Sequence, residues 1–212
     1  MPTYMEESVT LIVGGGELPS SSDLNLALES VDRVVVTDGG MRHLRTINKH
    51  PDLLVGDMDS ITKQDLEWAR DNSVEIVQLE QQQDSDLAKA LDLCHERGWD
   101  SIVVTAISAG RPDHSLAALA ALAAADQGME VGCHLDDTFV FRFVEGAPGT
   151  FSSFGEFSLF SSGTSKVSLR DCKWELDGYE LGFSSRGLSN FAEGDVELSV
   201  ESGDPVLVFI NL

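Results

Sequence analysis

Through the first two thirds of the chain, short β-branched runs alternate with stretches of helical periodicity. The pattern predicts strands at 10–13, 33–37, 53–55, 74–79 and 101–106, with helices at 24–30, 62–72, 85–97 and 115–127 between them. Strands alternating with helices imply β-α-β units, hence a mostly parallel sheet with helices on both faces. Such sheets bind ligands in the loops beyond the carboxyl ends of their strands. From about Thr138 the period shortens to two, and Gly, Ser and Asp separate short apolar runs at 139–144, 155–160, 166–169, 179–183, 196–200 and 206–210. This part reads as a second, all-β sandwich domain. The acidic pair Asp136–Asp137 interrupts two apolar strands, so the expected domains are 1–136, α/β and catalytic, and 137–212, a β-sandwich.

Composition narrows the function. The 212 residues are 42% hydrophobic and 24% charged, the balance of an ordinary globular chain. The longest apolar stretches fall short of the roughly 20 residues that span a bilayer, so no membrane partner is expected. Residues 1–8 carry two glutamates and no basic region, and are read as neither a signal nor a transit peptide, which implies a cytoplasmic protein. A net charge of −22 repels polyanions and argues against nucleic acid. A small anion can still bind where a metal ion and backbone N–H groups override the overall field. Cys94, Cys133 and Cys172 are odd in number, form no C-x-x-C pair and read as reduced thiols without a catalytic role.

Four segments carry candidate chemistry, each where a strand hands over to a helix. Gly14-Gly15-Gly16 fits the first two glycines of a dinucleotide fingerprint, but Pro19 stands at the third and no Gly-Lys-Ser/Thr follows. It is read as a backbone cradle for a nucleotide or as a plain turn. Asp38-Gly39-Gly40 follows the second strand, with glycines that admit a ligand close to the backbone. In Gly56-Asp57-Met58-Asp59-Ser60 two acids at i and i+2 point the same way on an extended strand end and suit one hard cation. An acidic turn is the alternative. Asp84-Ser85-Asp86 opens a helix, where capping accounts for one acid and Asp86 is free to join the same metal. In Gly110-Arg111-Pro112-Asp113-His114, Arg111 offers a planar fork to phosphate and is one of few cations in an acidic chain. Asp113 is placed to orient or deprotonate an acceptor hydroxyl, or only to cap the helix; His114 is a ligand or a satisfied first-turn histidine.

Taken in order, these elements resemble the thiamine pyrophosphokinase family. The resemblance runs from about Leu11 to the C-terminus through D-G-G at 38–40, P-D-x-x-x-G-D-x-D-S-I at 51–61, S-D at 85–86, G-R-x-D-H at 110–114, K-W-x-L at 173–176 and S-N at 189–190. It implies an α/β nucleotide-binding domain followed by a β-sandwich, assembled as a homodimer with sites at the subunit interface. The implied reaction moves a pyrophosphoryl group from ATP to the hydroxyl of thiamine, releasing AMP, with Mg²⁺ as cofactor. By resemblance Asp57, Asp59 and Asp86 hold the metal, Arg111 the phosphates and Asp113 the hydroxyl. The nucleotide would lie along Gly15, Gly16, Asp38, Gly39, Gly40, Ser85, Arg111 and His114. Trp174, Ser189 and Asn190 would line the thiamine pocket, with a core tryptophan as the alternative for Trp174. The family pattern is left at Ser108 and Ala109, at Gln83, and at Asp171-Cys172. Two other readings stay open: a diphosphokinase for another hydroxymethyl heterocycle such as a pterin, and a catalytically silent nucleotide- or thiamine-binding protein. A dehydrogenase reading of Gly14 to Gly16 is the weakest.

Overall fold

Runs of valine, isoleucine and leucine become strands here because branched side chains suit a pleated surface buried on both sides. The computed structural model describes residues 8–18, 21–79, 84–108, 110–146 and 148–212, with backbone alone at 21–23. Pro19, Gln83 and Ala109, singled out above, lie outside the described residues. In chain order come β1 (Thr10–Val13), α1 (Ser21–Glu29), β2 (Arg33–Thr37), α2 (Met41–Thr46), β3 (Leu53–Gly56), α3 (Lys63–Asp71), β4 (Glu75–Gln78), α4 (Asp86–Glu96), β5 (Ser101–Thr105), α5 (Pro112–Ala124) and β6 (Glu130–Leu135). Contacts divide the chain between Asp136 and Asp137.

In the first unit the strands pair in the order β6-β5-β1-β2-β3-β4, every pairing parallel. All carboxyl ends therefore lie on one edge. The order turns back at β1, which has β2 on one side and β5 on the other. A turning point of this kind opens a crevice beyond the strand ends. Leu11, Val13, Val36 and Leu54 pack with Leu24 of α1, Met41 and Leu44 of α2 and Ala69 of α3. The alternate residues Ile12, Val35, Leu53 and Val55 are equally buried. They point to the opposite face by the strand's period of two.

Local signals set where the helices begin. Thr62 caps α3, its Oγ1 accepting from the Asp65 amide at 3.1 Å and donating to Asp65 Oδ2 at 2.6 Å. Ser85 caps α4 by accepting from the Ala88 amide at 3.3 Å. Pro112 starts α5 three residues before the expected 115, since a first-turn proline needs no amide partner. α2 was not expected: it has six residues and follows directly on the D-G-G turn. No helix among the described residues is long and apolar enough to cross a membrane.

The second unit contains β7 (Thr138–Phe143), β8 (Gly149–Ser161), β9 (Thr164–Arg170), β10 (Leu176–Gly182), β11 (Asn190–Gly203) and β12 (Val206–Asn211). They pair antiparallel in the order β10-β9-β11-β8-β12-β7. Two separate sheets were expected; the strands instead form one ladder. The reason lies in β8 and β11, which are 13 and 14 residues long and change partner along their length. Residues 190–198 of β11 pair with β8 and 197–203 with β9, while 157–161 of β8 pair with β12. β10 approaches β8 although β9 and β11 separate them in the ladder, so the sheet curls over its own core. That core holds Phe151, Phe157, Leu159, Leu169, Leu198 and Val208.

Candidate active site

Three carboxylates meet at the carboxyl ends of β2 and β3. Asp38, Asp57 and Asp59 each offer an oxygen, and these oxygens lie within 4.8 Å of one another. Asp38 is buried, Asp57 half-buried and Asp59 exposed. Each is held by hydrogen bonds. Asp38 Oδ1 accepts from the Gly39 amide at 2.6 Å, and its Oδ2 from the Ser60 amide at 3.2 Å. Asp57 Oδ1 accepts from the Asp59 amide at 3.1 Å, and Ser60 Oγ donates to Asp59 Oδ1 at 2.8 Å. Gly56 makes room, because a Cβ there would lie 2.9 Å from Asp38 Cγ. Burial pushes the Asp38 carboxyl above its ordinary range, and the charges of Asp86 and Asp57 push the same way. A divalent cation would relieve that repulsion, and an all-oxygen donor set suits a hard ion such as Mg²⁺.

Sequence reasoning grouped Asp57 and Asp59 with Asp86, and put Asp38 on the nucleotide. The geometry brings Asp38 into the group, since β2 and β3 are neighbours with Thr37 opposite Val55. Asp86 stands alongside through a residue the sequence reading passed over. Lys89 Nζ lies 3.2 Å from Asp86 Oδ1 and 4.0 Å from Asp57 Oδ2. The signal was present: Lys89 is a lone cation one turn after Asp86 in a strongly acidic chain, the same argument that picked out Arg111.

The glycines pack loop against loop. A Cβ on Gly16 would meet the Ser108 carbonyl oxygen at 2.5 Å, and one on Gly40 the Val13 oxygen at 2.4 Å. Gly15 and Gly39 face each other, a Gly15 Cβ lying 3.1 Å from the Gly39 Cα. The Gly16 amide donates to the Ala106 oxygen at 2.6 Å. Two side chains of α2, also passed over by the sequence reading, hold this loop from the outside. Arg42 Nη2 donates to the Gly15 oxygen at 2.7 Å, and His43 Nε2 lies 2.8 Å from the Gly16 oxygen. A carbonyl only accepts, so His43 carries its proton on Nε2. Burial lowers its pKa, which keeps the ring neutral at pH 7.

After β5 the chain reaches Arg111, whose Nη2 donates to Asp113 Oδ2 at 2.6 Å and Nε to Oδ1 at 3.2 Å. Both side chains are about two-thirds exposed. The pairing holds Asp113 below the usual carboxylate range. Arg111, not Asp113, occupies the cap position of α5; Asp113 and His114 follow in the first turn. Ser85, expected at the nucleotide, caps α4. Burial pushes the Cys94 and Cys133 thiols up to about 12, so neither is a nucleophile at neutral pH.

The second unit holds its own cavity of about 190 Å³, lined by Leu159, Trp174, Leu176, Tyr179, Arg186 and Asn190 among others. Trp174 is 52% exposed, which excludes a core role. The Lys173 ammonium stands 4.3 Å from its ring centroid. Asn190 is buried, and its amide is spent on the backbone of Trp174 and Phe191. Ser189 adopts a left-handed φ of 58°, and its amide donates to Ser158 Oγ at 3.1 Å.

Comparisons with known proteins place this geometry in a family. The family described as "Thiamin pyrophosphokinase, catalytic domain" matches residues 24–132. Comparison with curated protein sequences gave no match. Among solved structures, a thiamine pyrophosphokinase from Bacillus subtilis is similar at TM-score 0.80 and 20% identity, covering 96% of this chain and 99% of that one. The thiamin pyrophosphokinase from Candida albicans is similar at TM-score 0.79 and 15% identity, covering 99% and 90%. That of yeast has TM-score 0.76 and 14% identity, covering 99% and 87%. These likenesses show the shared fold, and the catalytic-domain match spans more than half of the residues: the chain belongs to the thiamin pyrophosphokinase family.

Proposed function

We propose that the protein transfers a pyrophosphoryl group from ATP to the hydroxyl of thiamine, yielding thiamine diphosphate and AMP. The observation that carries this reading is the convergence of Asp38, Asp57 and Asp59 at the strand ends of a family member. These three, with Asp86 beside them, would hold Mg²⁺, which supplies charge neutralisation on the phosphates. Transfers of this kind need positioning and electrostatic stabilisation more than covalent chemistry. Arg111 exchanges its exposed partner Asp113 for phosphate oxygens, which suit its planar fork equally well. Asp113, ionised at neutral pH, is then free to accept the hydrogen bond of the acceptor hydroxyl and orient its oxygen. Gly15, Gly16, Gly39 and Gly40 keep the loops slim enough for the nucleotide, with Arg42 and His43 holding the first loop still. Trp174 offers an aromatic plane to the heteroaromatic acceptor.

The functional assembly is proposed to be a homodimer with its sites at the subunit interface. Supporting it, the second unit exposes Phe154 at 84%, Phe183 at 67% and Leu188 at 53%, an apolar display that suits a second copy.

One observation favours a second reading of the acceptor. Arg186 lines the cavity and Lys173 sits on Trp174, so two cations stand where a cationic thiazolium would bind. A neutral hydroxymethyl heterocycle such as a pterin avoids that repulsion. The test is AMP release from Mg·ATP by purified protein with thiamine, a hydroxymethylpterin or no acceptor. Thiamine-dependent AMP with thiamine diphosphate supports the main reading, pterin-dependent AMP the second, and no AMP a silent binding protein.

A further inference from the structure

Lys89 has no part in the reaction as proposed above. It lies one turn into α4, and its side chain is 10% exposed. Its ammonium sits between two carboxylates from separate segments: Asp86 at the start of α4, and Asp57 on the loop after β3. Asp57 in turn belongs to the group whose oxygens converge on one point. A fixed positive charge this close to a cation-binding group opposes a free divalent ion, since like charges at a few ångströms in a partly buried place are poorly screened. A metal ion that arrives on a polyphosphate carries its charge already cancelled, and the ammonium gains phosphate oxygens as partners.

We infer that Lys89 is a selectivity residue, which weakens the binding of free divalent cations to Asp38, Asp57 and Asp59 so that the metal enters with the nucleotide. The inference rests on the metal reading proposed above and adds how that site tells Mg·ATP from bare Mg²⁺. It also explains why a lysine stands among acids that would otherwise hold a metal continuously.

The test uses Mn²⁺ as probe, with bound ion counted by electron paramagnetic resonance on the full chain, in wild type, Lys89→Gln and Lys89→Arg. Without nucleotide, Lys89→Gln should bind Mn²⁺ at least about tenfold more tightly than wild type, and Lys89→Arg as weakly as wild type. With a non-hydrolysable ATP analogue the three should come within about threefold of one another, as the phosphates cancel the charge. Equal nucleotide-free affinity in wild type and Lys89→Gln overturns the inference, as does tight binding by Lys89→Arg, which would assign the effect to packing. Should Lys89→Gln fail to fold, Lys89→Met replaces it, filling the same space without charge. Mn²⁺ binding by none of the proteins, even with the analogue, would overturn the metal reading itself and this inference with it.

Discussion

Asn190 grips Trp174 from both sides of one residue: the Trp174 amide donates to Asn190 Oδ1 at 3.1 Å, and Asn190 Nδ2 donates to the Trp174 oxygen at 2.9 Å. The side-chain amide thus stands in for a strand partner at Trp174, between β9 and β10, next to Lys173, whose own amide donates to the Phe191 oxygen of β11 at 2.8 Å. Asn190→Ala leaves those backbone groups unpaired and should cost about 1–3 kcal/mol of stability. Urea denaturation measures the loss. Acrylamide quenching of tryptophan emission should rise at the same time; an unchanged quenching constant would detach Asn190 from the placement of Trp174.

Asp57→Asn and Asp59→Asn keep the size and most hydrogen bonds of the originals and remove a charge from the converging group. Each should lower turnover on the order of a hundredfold or more, with circular dichroism unchanged. Near-normal AMP release at saturating Mg²⁺ in either variant would exclude that residue as a metal ligand.

Gly16 and Gly40 leave no room for a side chain. In Gly16→Ala and Gly40→Ala the new methyl meets backbone oxygens at 2.5 and 2.4 Å, and backbone does not swing aside. A loss of about 1–3 kcal/mol or more is expected. Gly155→Ala is the control, since its methyl meets nothing within 4 Å. Equal denaturation midpoints for Gly16→Ala and Gly155→Ala would contradict this packing.

His95 Nδ1 lies 2.7 Å from Asp100 Oδ1, and Nε2 lies 3.7 Å from Asp126 Oδ1. The bond to Asp100 raises its pKa above the ordinary 6.5, with the charge of Asp126 adding to it. A histidine with a raised pKa contributes stability that is fully present below pH 6.5 and lost as pH rises through the folded value. The urea midpoint of wild type relative to His95→Gln should therefore fall as pH increases from 6.5. A difference that stays flat, or grows with pH, would refute the pairing.

β1 and β2 match the sequence expectation to the residue, because each is a valine, leucine or isoleucine run closed off by turn residues. β8 and β11 were legible only in part, as 155–160 and 196–200. Their remaining halves carry glycine and outward polar residues such as Ser152, Glu193 and Asp195, which blur the period of two. The pairing of Asp57 with Asp59 was legible from spacing alone. The place of Asp38 was not, because it depends on β2 lying beside β3, which sequence distance does not show. Asn190 was assigned to the thiamine pocket by the family resemblance alone; the fold shows that its side-chain amide is committed to the backbone of Trp174.

The position of β1 also bears on how the chain is made. β1 obtains its second neighbour only when β5 arrives, some ninety residues later in sequence. Until a ribosome has released residues 101–105, that flank of β1 is an open row of amides and carbonyls, able to capture a strand from another chain. The acids after β2 and β3 are synthesised long before the arginine after β5, so a nascent chain acquires the carboxylates proposed to hold the metal before the arginine proposed to hold phosphate. Fragments that stop short of β5 should therefore aggregate rather than persist as small active enzymes.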